Sequence, residues 1–104
     1  MKKHEKYIER SDLKDASHLQ VSVYYTKGGD NYFSGGTIRR GYYIAVTPVT
    51  KGNNMIRYAM FSWCKQLLFE TARYTDKQFT RAIEMAKDVE NELITTVVAE
   101  SKAA

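Results

Sequence analysis

The chain has 104 residues, a formal net charge of +4 and one cysteine. That bounds it to one domain and excludes a disulfide framework or a cysteine-rich zinc site. Hydrophobic residues make up 43% and charged residues 27%, the balance of an ordinary folded domain rather than a disordered one. No apolar run is long enough for a membrane span, and Met1-Lys2-Lys3-His4-Glu5-Lys6 leads into no apolar segment, so neither a membrane anchor nor a signal peptide is expected. The expected location is cytoplasmic.

Residues 1–17 are polar, with Tyr7, Ile8 and Leu13 as their few anchors. They read as an N-terminal arm or short helix ahead of a single α+β domain over residues 18–104. From His18 the chain alternates: Leu19, Val21, Val23 and Tyr25 against Gln20, Ser22, Tyr24 and Thr26. Period two with β-branched and aromatic residues predicts a strand. Residues 27–36 form a glycine-rich turn, with Gly28-Gly29 and Gly35-Gly36 at its ends. Thr37 to Val49 reads as a second strand, and Pro48, which has no N–H for a ladder, marks its end or an edge. Lys51-Gly52-Asn53-Asn54 is a turn, and Met55 to Phe61 alternates again as a third strand. Ser62 then suits the cap of a helix carrying Trp63, Leu67 and Leu68, ending near Tyr74. Thr75-Asp76-Lys77-Gln78 is a capping box. Phe79, Ile83, Ala86, Val89, Leu93 and Val97 follow at helical spacing, predicting a second helix from 76 to about 101. The predicted fold is a three-stranded antiparallel meander followed by two C-terminal helices on one face.

Charge is concentrated in the middle. Residues 27–73 carry seven basic groups against Asp30 and Glu70, whereas residues 74–104 are net acidic. A local surplus of this kind attracts a polyanion or an acidic protein surface. Tyr24, Tyr32, Tyr43 and Tyr58 are interleaved with Lys27, Arg39, Arg40 and Arg57. Tyrosine and arginine side by side suit single-stranded nucleic acid, through stacking and phosphate contacts, and equally suit protein hot spots. Lys27, Tyr32, Arg39, Arg40, Tyr43, Arg57 and Tyr58 are the candidate binding residues.

Other chemistry is weaker. The glycine-rich turn leads into a strand, not into the helix N-terminus that a phosphate cradle uses. Arg40-Gly41-Tyr42-Tyr43-Ile44-Ala45-Val46 has the basic-Gly-aromatic start of an RNA-recognition strand, but no helix separates the first two strands as that fold requires. Cys64 has only His4 and His18 as potential bases, and a packed thiol is expected. Glu70 is the one acid near the basic residues. It could serve a small metal-dependent nuclease, though an ion pair with Arg73 or Lys65 is the simpler reading. No cofactor and no small-molecule substrate are expected.

The segment Tyr25-Thr26-Lys27-Gly28-Gly29-Asp30-Asn31-Tyr32-Phe33 resembles a family of small cargo proteins of plasmids and conjugative elements from Gram-positive gut bacteria. So do Arg40-Gly41-Tyr42-Tyr43, Pro48-Val49, and Phe61 with Lys65, Leu67, Leu68 and Glu70. Some such proteins resemble anti-CRISPR inhibitors. The resemblance implies a non-enzymatic mobile-element protein that binds a type II, Cas9-type effector and hinders guide-RNA assembly or DNA binding. It implies the effector protein, and guide RNA with it, as partners. The alternative is a nucleic-acid-binding accessory protein of plasmid transfer or regulation.

Overall fold

The computed structural model describes residues 2–30, 37–59 and 63–103. The elements in chain order are β1 (His4–Glu9), β2 (His18–Thr26), β3 (Gly29–Asp30), β4 (Thr37–Ile38), β5 (Gly41–Lys51), β6 (Ile56–Tyr58), β7 (Cys64–Glu70) and α1 (Asp76–Ala103). The fold is α+β: an antiparallel sheet with one long C-terminal helix across one face. In the sheet β1 pairs with β2, and β2 with β5. The other edge of β5 is shared, with β6 opposite residues 49–51 and β7 opposite residues 41–46. β3 and β4 form a small separate ribbon.

Three sequence expectations give way here. The N-terminal segment contains a strand, β1, paired with β2 from His4↔Val23 to Glu9↔His18. Its charges fit an edge strand, where Lys and Glu deter pairing with another chain. The helix expected after Ser62 is instead β7, so there is one C-terminal helix rather than two; Ser62 itself lies outside the described residues. Leu67 pairs with Tyr43 and Phe69 with Tyr42, leaving Leu68 as an extra residue in a bulge. The bulge breaks the alternation of the strand and sets Leu67, Leu68 and Phe69 in a row, which imitates a helical stripe. Leu, Lys and Gln favour helix only weakly, and the open edge of β5 outweighs that preference.

The third difference is the second strand: the expected Thr37 to Val49 divides into β4 and β5, and Pro48, expected at the strand's end or at an edge, lies inside β5. Its carbonyl accepts the Ala59 N–H at 2.9 Å. The proline nitrogen therefore faces the same edge, at the interruption between β6 and β7, where a missing donor breaks no regular ladder bond.

Alternation in β2 and β5 works as read. Leu19, Val21, Val23 and Tyr25 stand beside Tyr42, Ile44 and Val46 on the face that meets α1. From the helix come Phe79, Ala82, Ala86, Leu93, Val97 and Val98. Midway along α1, Glu90 reaches Lys6 of β1 at 2.5 Å, an ion pair that joins the helix to the outer strand. Thr75 caps the helix as predicted, its Oγ1 accepting the Gln78 N–H at 3.1 Å. Gln78 does not complete the box; its side chain meets Thr71 Oγ1 at 3.2 Å.

Candidate binding site

The turn out of β2 brings Lys27 beside Arg39 and Arg40. Gly28 has φ +79° and Gly29 φ +124°, conformations that favour glycine. A Cβ on Gly28 would lie 2.6 Å from the Ile38 carbonyl oxygen, so this close approach requires its absence. Thr26 Oγ1 accepts the Gly28 N–H at 3.2 Å. Across the gap, Arg40 Nε donates to the Lys27 carbonyl at 2.9 Å, and the Thr71 N–H donates to the Arg40 carbonyl at 3.1 Å. These bonds tie three chain segments together at one end of the sheet.

Between them is an open depression of about 560 Å³, lined by Lys27, Gly29, Ile38, Arg39, Arg40, Glu70, Thr71 and Ala72. Three cations face one carboxylate. Glu70 pairs with Arg39 at 3.1 Å, rather than with Arg73 or Lys65. Both side chains are largely exposed, 72% and 55%, so the pair contributes little to stability and Arg39 can exchange partners at small cost. Among the described residues Glu70 is the depression's single carboxylate, and it is held by a guanidinium, an arrangement that does not favour it as a free base.

The remaining candidates go elsewhere. Tyr43 is buried on the face away from α1. Its hydroxyl donates to the Arg39 carbonyl at 2.8 Å, its ring stacks on Tyr24 at 6.0 Å, and Lys65 Nζ lies 4.7 Å above it. It supports the backbone of Arg39 and is not an exposed anchor. Burial, with the neighbouring Tyr43, pushes the Tyr24 phenol pKa up. Arg57 and Tyr58 lie opposite Thr50 and Val49, at the far end of β5. At about 3.4 Å per residue they are roughly 30 Å from Arg40. Tyr32 lies outside the described residues. The basic middle of the sequence is thus split into two surfaces.

The RNA-recognition-like run fares differently. Tyr42, the aromatic after Gly41, is fully buried against α1, so it offers no face for a base to stack on. Cys64 is half-buried, and burial followed by the charge of Glu100 raises its thiol pKa, which disfavours the nucleophilic thiolate. His4 lies two strands away on β1, on the order of 14 Å across the sheet at strand spacing.

Reading by residue type missed Trp63, Met55 and Ile56, which are large, apolar and exposed. The available signal was a stretch, residues 51–69, with three basic residues and no carboxylate. Comparison of the chain with protein-family models, curated proteins and solved structures finds no match.

Proposed function

We propose that the protein is a non-enzymatic binding protein whose Lys27–Arg39–Arg40 end seats a phosphate-bearing or acidic macromolecular surface. The observation that carries this reading is the depression at that end. An Arg40 side-chain bond to the Lys27 carbonyl and a Thr71-to-Arg40 backbone bond hold its chain segments together, and among the described residues its three cations face a single carboxylate already paired with Arg39. Guanidinium groups on a fixed backbone suit bidentate contacts with phosphates and carboxylates. The further step, a mobile-element inhibitor of a Cas9-type effector, rests on the sequence resemblance alone.

The test is a pull-down with a type II effector, with and without guide RNA, alongside a DNA-cleavage assay. The wild type should bind and inhibit, and Arg39→Glu with Arg40→Glu should abolish both while keeping the far-ultraviolet dichroism of the fold, with the melting midpoint lowered by loss of the Arg40–Lys27 bond. Inhibition that survives the double reversal would reduce the cluster to a solvated face. The accessory-protein reading draws on the same cations. Tight binding of free RNA, weakening steeply with salt, would support it instead.

A further inference from the structure

The two edges of the sheet differ in kind. The β1 edge is charged, with Lys3 bonded to Glu5 at 2.9 Å and Lys6 to Glu90. The opposite edge carries fewer charges, with only Lys65 and Glu70 in β7. β7 pairs with β5 on one side, and among the described residues no strand pairs with its other side. An unpaired strand edge is a template for another extended chain. Large exposed apolar side chains lie on the β6 side of the same edge, Met55 at 59%, Ile56 at 40% and Tyr58 at 59%, and next to β7, Trp63 at 54%. Tyr58 lies opposite Val49 and Cys64 opposite Val46, so Tyr58 and Trp63 flank the interruption on this edge. Tryptophan, tyrosine, methionine and arginine are the residues enriched where proteins dock.

Charge selects the occupant. Residues 51–69 contain no carboxylate; Glu70 at the end of β7 is paired with Arg39, and the charge of Glu100 bears on Cys64 at its start. Arg57 stands between Ile56 and Tyr58, Lys65 is in β7, and Arg81 of α1 lies 4.9 Å over the Phe69 ring. We propose that the outer edge of β7, with Tyr58 and Trp63, docks an extended acidic segment of a protein partner, which adds a strand to the sheet. Main-chain groups of such a segment match the unpaired groups of β7 at strand spacing, its carboxylates meet Arg57 and Lys65, and the two aromatics grip its apolar residues. A nucleic acid has no main-chain ladder to offer. This surface meets the Lys27–Arg39–Arg40 end only at Glu70, where β7 stops, and draws on other cations.

The probe is a blocked synthetic peptide as long as β7, alternating glutamate and valine, added to the full chain. Trp63 is the chain's single tryptophan, so its emission reports docking. The peptide should shift that emission saturably and slow amide exchange of Lys65 to Phe69 at least about tenfold. A lysine–valine peptide should do neither. Arg57→Glu with Lys65→Glu should weaken binding at least about tenfold, with the far-ultraviolet dichroism unchanged. Tyr58→Ala, a milder change, should weaken it as well. Lys27→Gln with Arg40→Gln, which leaves the Arg39–Glu70 pair in place and adds no carboxylate beside β7, should leave peptide binding intact, which separates this result from failure of the reading above. The proposal is overturned if the peptide does not bind or if protection falls outside β7. It is also overturned if an oligothymidylate displaces the peptide, or if the same amides are protected by concentration-dependent dimerisation without peptide.

Discussion

The phenolic oxygen of Tyr42 holds both backbone groups of Thr75, donating to its carbonyl at 3.0 Å and accepting its N–H at 3.1 Å. Tyr42 is at the start of the central strand and Thr75 is the helix cap, so one buried side chain couples sheet to helix. It also takes the place that a capping box gives to Gln78, satisfying the cap residue's own N–H. Tyr42→Phe removes that oxygen while keeping the ring packed on Phe69 and Phe79. The cost should be about 1–3 kcal/mol, the penalty for buried groups left unpaired. Thr75→Ala should cost about 1 kcal/mol. Urea unfolding followed by helical dichroism measures both. An unchanged midpoint for Tyr42→Phe would show that water replaces the phenol.

Gly41 marks a close approach of main chains. It pairs with Thr26 on one side and Glu70 on the other. A Cβ there would collide with the Phe69 carbonyl oxygen and come within 2.9 Å of Glu70 Cα. Alanine at an unobstructed strand position is favourable relative to glycine. Gly41→Ala should instead destabilise by about 2 kcal/mol or more, read from the thermal midpoint. A stabilised variant would mean that β7 can move outward freely.

Arg10 holds the carboxylate of Asp12 through two hydrogen bonds, at 2.9 and 2.7 Å, and keeps its pKa at about 2, helped by Lys102 at 3.7 Å. The folded value lies below the ordinary 3.8, so the unfolded chain takes up the proton first. The contribution to stability is present above about pH 4 and is lost as pH falls from there toward 2. Asp12→Asn should therefore be less stable than wild type at neutral pH, with the difference closing below about pH 2. Parallel acid titrations of unfolding would reveal it; a constant gap would exclude Asp12 as the titrating group.

The Cys64 thiol has the opposite sign. Its pKa is raised by burial and then by Glu100, so folding favours the protonated form and stability falls as pH rises past the thiol's unfolded value. Its reaction with a disulfide reagent should reach half-maximal rate at a higher pH in the native chain than in the urea-unfolded one. Glu100→Gln should move the native profile part of the way back. Cys64→Ala should leave binding within a few-fold, because the raised pKa disfavours a reactive thiolate; loss of binding in a folded variant would contradict that.

What the sequence determined by itself was local. Alternation over residues 18–26 and within 37–49 assigned two strands and their inward faces, because a pleat turns every second side chain to one side, though Thr37–Ile38 belong to the separate β4. The Thr75 cap and the stripe from Phe79 to Val97 defined the helix, because capping and helical spacing are decided within a few residues. Tertiary structure decided the rest. β1 is too charged to read as a strand and is held by its pairing with β2. β7 owes its strand conformation to the free edge of β5, with a bulge at Leu68 that hides its alternation. The candidate site follows the same division. Lys27, Arg39 and Arg40 were legible as cations, but hydrogen bonds between distant segments bring them to one end. Arg57 belongs to the other end because β5 runs the length of the sheet, a separation that charge counted along the chain does not contain.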